Sequence, residues 1–270
     1  MLRDITFGQY YDSKSIIHKL DPRIKIILMI LFVVFLFLTK SIYSVIFMAL
    51  CVLFVLIVSK VPMKLYLKNV KAILPVLIFT AVINVFYGDG GNVLVEFWVL
   101  KITDSGILRA VFMATRIFLL IFISSVLTYT TTPNDLTDAI ESLLSPLRFI
   151  GLKSAVHTLA MMMTIALRFI PTLIEEAEKI MNAQKARGAD LESGGLIERV
   201  KALIPILIPL LISSVRRAYE LAEAMECRCY NGGVGKTRMK QMKLSFKDFV
   251  SSIITVGLCV SVLFINNIKF

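Results

Sequence analysis

Histidine and cysteine, which supply many of the metal ligands in proteins, are scarce in this chain of 270 residues. Its two histidines, His18 and His157, lie far apart in the sequence, and we expect each to be structural rather than a metal ligand. Cys227 and Cys229 form a C-x-C pair, but the sequence offers no second pair of ligands. The four cysteines are therefore interpreted as reduced thiols, and neither a metal nor a cofactor is expected.

The signatures of nucleotide binding and of hydrolytic catalysis are also missing. The segment GGVGKT, residues 232–237, ends like a phosphate-binding P-loop, but the full pattern requires a glycine where Tyr230 stands. The sequence contains no H-E-x-x-H zinc motif and no G-x-S-x-G nucleophile elbow. We therefore expect that the chain is not an enzyme and hydrolyses no ATP by itself.

Long hydrophobic runs dominate what is present. Hydrophobic residues make up 57% of the chain and its mean hydropathy is +0.79, which is too apolar for one soluble domain. Several runs approach the length that a membrane-spanning helix needs. They predict an all-α polytopic protein of the cell membrane, with a bundle of about five transmembrane helices. The runs are residues 24–38, 42–59, 70–87, 107–127 and 249–265.

The net charge of +11 is distributed as expected for a membrane protein with a cytoplasmic N-terminus. With that orientation, most lysines and arginines lie inside, and the outside keeps only Lys40, Lys101 and Lys269. The basic excess is thus a topology signal, and no nucleic-acid partner is expected.

Four lysines recur at spacings of three and four residues, which predicts one basic face at the cytoplasmic surface: Lys60, Lys64, Lys68 and Lys71. Such a face can contact anionic lipid headgroups or an acidic protein. The lipid bilayer is the favoured partner.

Local signals mark several element boundaries. Asp21 and Pro22 suit the cap and the first position of a helix, and residues 132–135, TPND, suit the start of another. That second helix is expected to cover residues 134–144. Residues 93–99 alternate between valine or phenylalanine and other residues, which is typical of a small hairpin or an interfacial segment.

Two long helices with matching sequences are predicted in the C-terminal half. They cover residues 168–190 and 209–231, and a shift of 41 positions places Arg187 on Arg228 together with several alanines and apolar residues. Apolar residues follow the helical period, so each helix is predicted to present an apolar face to a partner. From spacing alone, the two arginines are interpreted as solvated last-turn residues, which are common at helix C-termini.

Two further apolar runs, residues 154–170 and 202–215, overlap the starts of these helices, and Pro205 and Pro209 interrupt the second run. If each run crossed the membrane once, the two equivalent arginines would lie on opposite sides, so we expect that neither run crosses. Residues 131–246 are thus predicted to form one cytoplasmic, membrane-apposed helical domain. Residues 1–130 would supply the N-terminal segment and four membrane helices, and residues 247–270 the last membrane helix, with the C-terminus outside.

Four segments spread over nearly the whole chain carry a family resemblance. In order, they read GQYYDSKSIIHKLDPRIK, TTPNDLTDAIESLLSPLRFIGL, ALRFIPTLIEEAEKIMNAQKARGAD and AMECRCY. Together they resemble the transmembrane T component of energy-coupling factor (ECF) transporters, and the paired arginine motifs are the most specific feature. The resemblance implies a transmembrane bundle and a cytoplasmic coupling domain of long crossed helices.

Proteins of this kind join two ABC-type ATPases to a separate membrane subunit that binds a vitamin or a trace metal. The resemblance therefore implies a coupling subunit that links ATP hydrolysis by its partners to movement of the substrate-binding subunit. Two motifs are carried over as ATPase contacts: Ala186, Arg187, Gly188, Cys227, Arg228 and Cys229. Gly188 suits a left-handed helix end and Cys229 does not, so Asn231 or Gly232 is expected to turn the chain after the second helix.

The apolar runs in the coupling domain are too hydrophobic for surfaces that face water. We expect the substrate-binding subunit to pack on them, with methionines giving an adaptable surface. The predicted contacts are Met161, Met162, Met163, Pro205 and Pro209.

Two other classes of function remain open. The chain could act alone as a channel or secondary transporter, with Arg109 and Arg116 of the fourth span lining a polar path. Within that span, Arg116 is expected to face protein and Arg109 to extend toward the outer surface. A membrane enzyme is the other class, although no catalytic constellation is visible.

Overall fold

The computed structural model of the chain describes residues 10–86, 93–97, 100–146, 153–189, 195–231 and 244–267. It confirms the all-α class expected of a polytopic membrane protein. The helices are α1 (Pro22–Leu38), α2 (Ile42–Ser59), α3 (Met63–Phe86), α4 (Asp104–Thr130), α5 (Pro133–Leu143), α6 (Lys153–Ala186), α7 (Leu196–Cys227) and α8 (Phe246–Asn267). Two antiparallel strands, β1 (Val93–Phe97) and β2 (Leu100–Thr103), confirm the hairpin between α3 and α4.

The helix starts confirm the signals read from the sequence. The carboxylate of Asp21 accepts a hydrogen bond from the backbone nitrogen of Arg23 at 2.9 Å, and Pro22 occupies the first position of α1. Helix α5 likewise begins at a proline, Pro133. In both cases the φ angle of proline is already fixed near the helical value. The first N–H groups of a helix have no intrahelical acceptor, so the N–H that proline lacks costs no hydrogen bond.

The described helices belong to two compact units, one containing α1 to α4 with α8 and the other containing α5 to α7. In the first unit, α4 contacts α1, α2 and α3. Tyr66 is fully buried there, with its ring edge-on to Phe122 and Tyr129 and its hydroxyl 3.0 Å from the hydroxyl of Ser59. The core of this unit therefore includes a polar group whose hydrogen bond is satisfied, as burial requires.

The last helix, α8, packs against α1 and α2 and is fastened near both ends. Near its start, the buried carboxylate of Asp248 accepts a hydrogen bond from the backbone nitrogen of Asp21 at 2.8 Å. Near its end, the side-chain oxygen of Asn266 accepts from the backbone nitrogens of Lys40 at 2.9 Å and Ser41 at 3.1 Å. These bonds tie the two ends of α8 to the two ends of α1.

His18 is a structural residue of the same unit. Its Nε2 lies 2.9 Å from the carbonyl oxygen of Tyr11 and its Nδ1 lies 2.6 Å from the hydroxyl of Ser15. Burial lowers the pKa of His18, because desolvation disfavours the charged imidazolium. Lys25 is buried nearby, where its ammonium donates to the carbonyl oxygen of Thr130 at 2.9 Å.

Within the described residues, six helices are long and apolar enough to cross a membrane by length and composition: α2, α3, α4, α6, α7 and α8. Helix α1 has 17 residues and a length of about 25 Å, which is less than the hydrocarbon thickness of about 30 Å. Because α6 and α7 meet the criterion by sequence alone, the expectation that neither crosses stays a prediction.

The predicted break at Pro205 and Pro209 is wrong. Helix α7 continues through both prolines, and α6 continues through Pro171, so each apolar run and the long helix after it form one element. Pro209 lacks the N–H that would bond the Pro205 carbonyl. The side-chain amide of Gln184, on α6, donates to that carbonyl at 3.5 Å, which supplies a substitute donor from a neighbouring helix.

Candidate coupling site

Helices α6 and α7 lie side by side and run in opposite directions. In the residue pairs that join them, residue numbers that increase along α6 are paired with residue numbers that decrease along α7. The pairs include Met161 with Tyr230, Glu176 with Arg217, and Gln184 with Pro205. This order defines an antiparallel pair within one compact unit. The C-terminal ends of α6 and α7 therefore lie at opposite ends of the pair.

Helix α6 ends in a Schellman motif that makes Arg187 its C-cap residue. Gly188 is left-handed, with φ +86°. The backbone nitrogen of Gly188 donates to the carbonyl of Lys185 at 3.0 Å, and that of Ala189 donates to the carbonyl of Gln184 at 3.0 Å. These are the two hydrogen bonds that define the motif, and glycine is its usual left-handed residue.

Helix α7 ends in the same motif, with Arg228 as its C-cap residue. Cys229 is left-handed, with φ +54°. Its backbone nitrogen donates to the carbonyl of Glu226 at 2.8 Å, and that of Tyr230 donates to the carbonyl of Met225 at 3.0 Å. Each of these four positions lies 41 residues after its counterpart at the end of α6.

The expectation that Asn231 or Gly232 turns the chain after α7 is therefore wrong, because Cys229 already does so. A left-handed residue with a side chain costs about 1–2 kcal/mol. The two hydrogen bonds of the motif satisfy carbonyls that the helix end would otherwise leave unpaired, and this offsets the conformational cost.

Arg187 and Arg228 occupy equivalent and exposed positions, each preceded by an exposed last helical residue, Ala186 or Cys227. Across the residues that the structure describes, neither guanidinium has an ion-pair partner. With an axial rise of 1.5 Å per residue, the two C-caps lie about 35 Å apart along the pair. The site thus presents two free cations with identical local backbone at a fixed separation.

Comparison with known proteins decides the family of this chain. The family model CbiQ, described as a cobalt transport protein, matches residues 13–241. The chain belongs to the CbiQ family. It is 52% identical over 265 residues to the energy-coupling factor transporter transmembrane protein EcfT of Clostridium kluyveri, which covers 97% of each chain. It is 40% identical over 264 residues to the protein of the same name from Bacillus subtilis, covering 98% of each chain.

The resemblance seen in the sequence is thereby confirmed. This CbiQ-family chain is a multi-pass transmembrane component of an ECF transporter, and such a component belongs to a multi-subunit complex.

The sequence analysis missed one contact between α6 and α7 of this CbiQ-family chain. The carboxylate of Glu176 accepts hydrogen bonds from the hydroxyl of Ser213 and from the guanidinium of Arg217. The sequence does contain a signal for it. The shift of 41 positions that aligns the arginine motifs also places Glu175 and Glu176 on Arg216 and Arg217.

The predicted contacts for a substrate-binding subunit differ in their exposure. Met161 is half-buried against α7 through Tyr230, whereas the side chain of Met162 is 63% exposed and Met163 is half-buried. Pro205 and Pro209 are exposed. They lie among a wide set of exposed apolar residues on α7: Leu203, Ile204, Leu207, Ile208, Leu211, Ile212 and Val215.

The lining of one groove near Arg228 is mainly basic. A groove of about 680 Å³ between the N-terminal part of α6 and the C-terminal part of α7 reaches Arg228. Arg168, Arg216 and Arg217 line it with Arg228, and Glu220 is the acidic residue in its lining. The groove therefore favours a negatively charged partner at this end of the pair.

Arg116 faces protein, as expected, rather than a polar path. Its guanidinium donates to the carbonyl of Thr39 at 2.8 Å and lies over the rings of Phe37 and Phe112. Arg109 is exposed. Because Arg116 is engaged at the end of α1, this geometry does not support the alternative in which both arginines line a channel.

Proposed function

We propose that this chain is the coupling subunit of its ECF transporter, in which Arg187 and Arg228 each dock into one of two ABC-type ATPases. The observation that carries the proposal is that both arginines are C-caps of the same motif at the two ends of one helix pair. A planar guanidinium suits a bidentate carboxylate on a partner. The two equivalent C-terminal ends of α6 and α7 suit similar binding sites on two similar ATPases.

The antiparallel arrangement of α6 and α7 bears on how the pair meets the membrane. If the pair stood across the bilayer, its two C-terminal ends would face opposite compartments. If it lies along the cytoplasmic surface, both arginines reach the side where ATP is. We infer the second orientation, since two ATPases must bind on the same side.

Labelling of single cysteines in a cysteine-free background tests this orientation. Asn182 and Glu223 are exposed, equivalent positions on the polar halves of α6 and α7. We expect both to react only with a reagent that enters the cytoplasm. Reaction of one position from outside and of the other from inside would show that the pair crosses the bilayer.

We further propose that the exposed apolar face of α7, together with Met162, contacts the substrate-binding membrane subunit. An apolar surface of this extent needs lipid or protein to cover it. Met162→Lys is expected to release that subunit from the purified complex and to leave the ATPases bound, whereas Met162→Leu is expected to retain both. Retention of the subunit by Met162→Lys would contradict this contact.

The docking proposal is tested by the double variant Arg187→Glu/Arg228→Glu. Loss of a buried charge-assisted contact costs about 2–5 kcal/mol at each site, and charge reversal adds repulsion. We expect the ATPases to dissociate during purification and uptake in cells to stop. The control is Lys179→Glu, which reverses a charge at an exposed position of α6 eight residues before its cap. A double cap variant that retains its ATPases and transports normally would show that the arginines are solvated helix ends.

A further inference from the structure

The contact of Glu176 with α7 differs from the other contacts of the helix pair in being charged on both sides. One carboxylate oxygen accepts from the hydroxyl of Ser213 and the other accepts from the guanidinium of Arg217. The side chains of Glu176 and Arg217 are 21% and 34% exposed, so the ion pair is largely enclosed by the two helices. Such a contact has a defined geometry, whereas apolar helix faces tolerate sliding and repacking.

The position of this contact follows from the internal repeat. Glu176 and Arg217 are 41 residues apart, which is the shift that relates α6 to α7. In an antiparallel pair of equivalent helices, a contact between equivalent positions lies at the local two-fold axis. Glu176 and Arg217 therefore meet at the midpoint of the pair. Arg187 and Arg228 lie roughly three helical turns, about 16 Å, beyond them in opposite directions.

We propose that Glu176 is a positioning residue that fixes the crossing of α6 and α7, and with it the separation of the two arginine caps. This proposal rests on the proposed function, because the separation matters only if both caps bind partners. A change of register at the midpoint displaces both ends, so the two arginines no longer match two sockets together. Use of a polar contact to set helix register is the best-attested role for enclosed charges.

The repeat also predicts that the ion pair still forms when the acidic and the basic residue are exchanged between α6 and α7. Thr172 lies 41 positions before Ser213, so a hydroxyl is present at the equivalent place on α6. In the variant Glu176→Arg/Arg217→Glu, the new glutamate on α7 has Thr172 and an arginine on α6 as its partners. The single change Glu176→Arg instead places an arginine directly against Arg217.

The proposal is tested on the whole transporter in lipid nanodiscs. Spin labels are introduced through unnatural amino acids at Asn182 and Glu223, so the native cysteines remain in place. Double electron–electron resonance then reports the distance between the two halves of the pair for Glu176→Arg, for the exchanged double variant and for the milder Glu176→Gln. The matched control is Glu175→Arg, which makes the same charge change at an exposed neighbouring position.

We expect Glu176→Arg to shift or broaden the distance distribution, Glu176→Gln to do so less, and both the exchanged variant and the control to keep the original distribution. The number of substrate molecules taken up per ATP hydrolysed is expected to fall severalfold in Glu176→Arg and to recover in the exchanged variant. An unchanged distribution in Glu176→Arg, or an exchanged variant that remains altered, would overturn the role of Glu176. An altered distribution with normal uptake would leave that role intact and instead count against the proposed docking of the caps.

Discussion

The two C-terminal ends of the helix pair have the same backbone and different side chains. Arg187 and Arg228 are both followed by a left-handed residue, and both helix ends close with the same two hydrogen bonds. The left-handed residue is Gly188 at one end and Cys229 at the other. The comparison shows that the placement of each arginine is set by the hydrogen bonds of the cap, which persist where glycine is replaced.

The charges around the two ends also differ. Arg168 and Arg216 line the groove that reaches Arg228. A shift of 41 positions relates these residues to Pro209 and Glu175. The same shift places Lys179 and Lys185 of the Arg187 end on Glu220 and Glu226 of the Arg228 end. The two ends therefore differ in which positions carry charge, and neither is the more basic throughout.

Reversal of one cap at a time is the strongest way to separate the two ends. Each of Arg187→Glu and Arg228→Glu is expected to weaken ATPase binding by about 2–5 kcal/mol if the contact is buried. The complex should remain partly assembled because the other end still binds. We expect the two single changes to weaken binding by similar amounts, because both arginines occupy the same position of the same cap. Co-purification of the ATPases and uptake in cells measure both effects, and normal binding and uptake in both single variants would contradict docking through the caps.

Substitution of alanine at the left-handed positions compares the two caps directly. No atom lies within 4 Å of a Cβ built on Gly188, so the cost of Gly188→Ala is conformational rather than steric. We expect it to destabilise the end of α6 by about 1–2 kcal/mol. Cys229 already has a Cβ in that conformation, so Cys229→Ala should change the stability of the end of α7 little. Hydrogen exchange at the amides of Ala189 and Tyr230 measures the two ends separately, and equal changes would contradict this account.

The smallest effect is expected from converting the second cap into the first. Cys229→Gly removes the penalty of a left-handed side chain but adds freedom to the unfolded chain, so the net gain should be about 0.5–1 kcal/mol. Exchange of the Tyr230 amide should slow, and uptake should stay unchanged because Arg228 keeps its position. Faster exchange at Tyr230 would mean that the Cys229 side chain itself stabilises the helix end.

The sequence was most informative where a local signal decides the structure. The cap at Asp21, the start at Pro133 and the strand alternation after residue 93 all depend on neighbouring residues, and each was predicted correctly. The arginine ends were also found from the sequence, because the repeat places them in register.

Features that depend on a distant partner were missed. Pro209 indicates a break, but Gln184 on another helix supplies the donor that the carbonyl of Pro205 needs. Cys229 contradicts local preference because hydrogen bonds to two earlier carbonyls hold it left-handed. The pairing of Glu176 with Arg217 required knowledge that α6 and α7 are antiparallel. At Pro209 a contact from another helix offsets a local propensity of about 3 kcal/mol, whereas at Cys229 the offsetting hydrogen bonds are local to the helix end.

The attachment of α8 has a consequence for the synthesis of the protein. The backbone nitrogens of Asp21, Lys40 and Ser41 all find acceptors on α8, a helix that is synthesised after α1 to α7. An unsatisfied buried backbone group is costly, and the buried bond to the backbone nitrogen of Asp21 can form only once α8 is in place. A nascent chain stalled before α8 would expose these groups and the apolar faces of α1 and α2. Insertion machinery and membrane proteases would then have a structural means of distinguishing chains that contain α8 from chains that lack it.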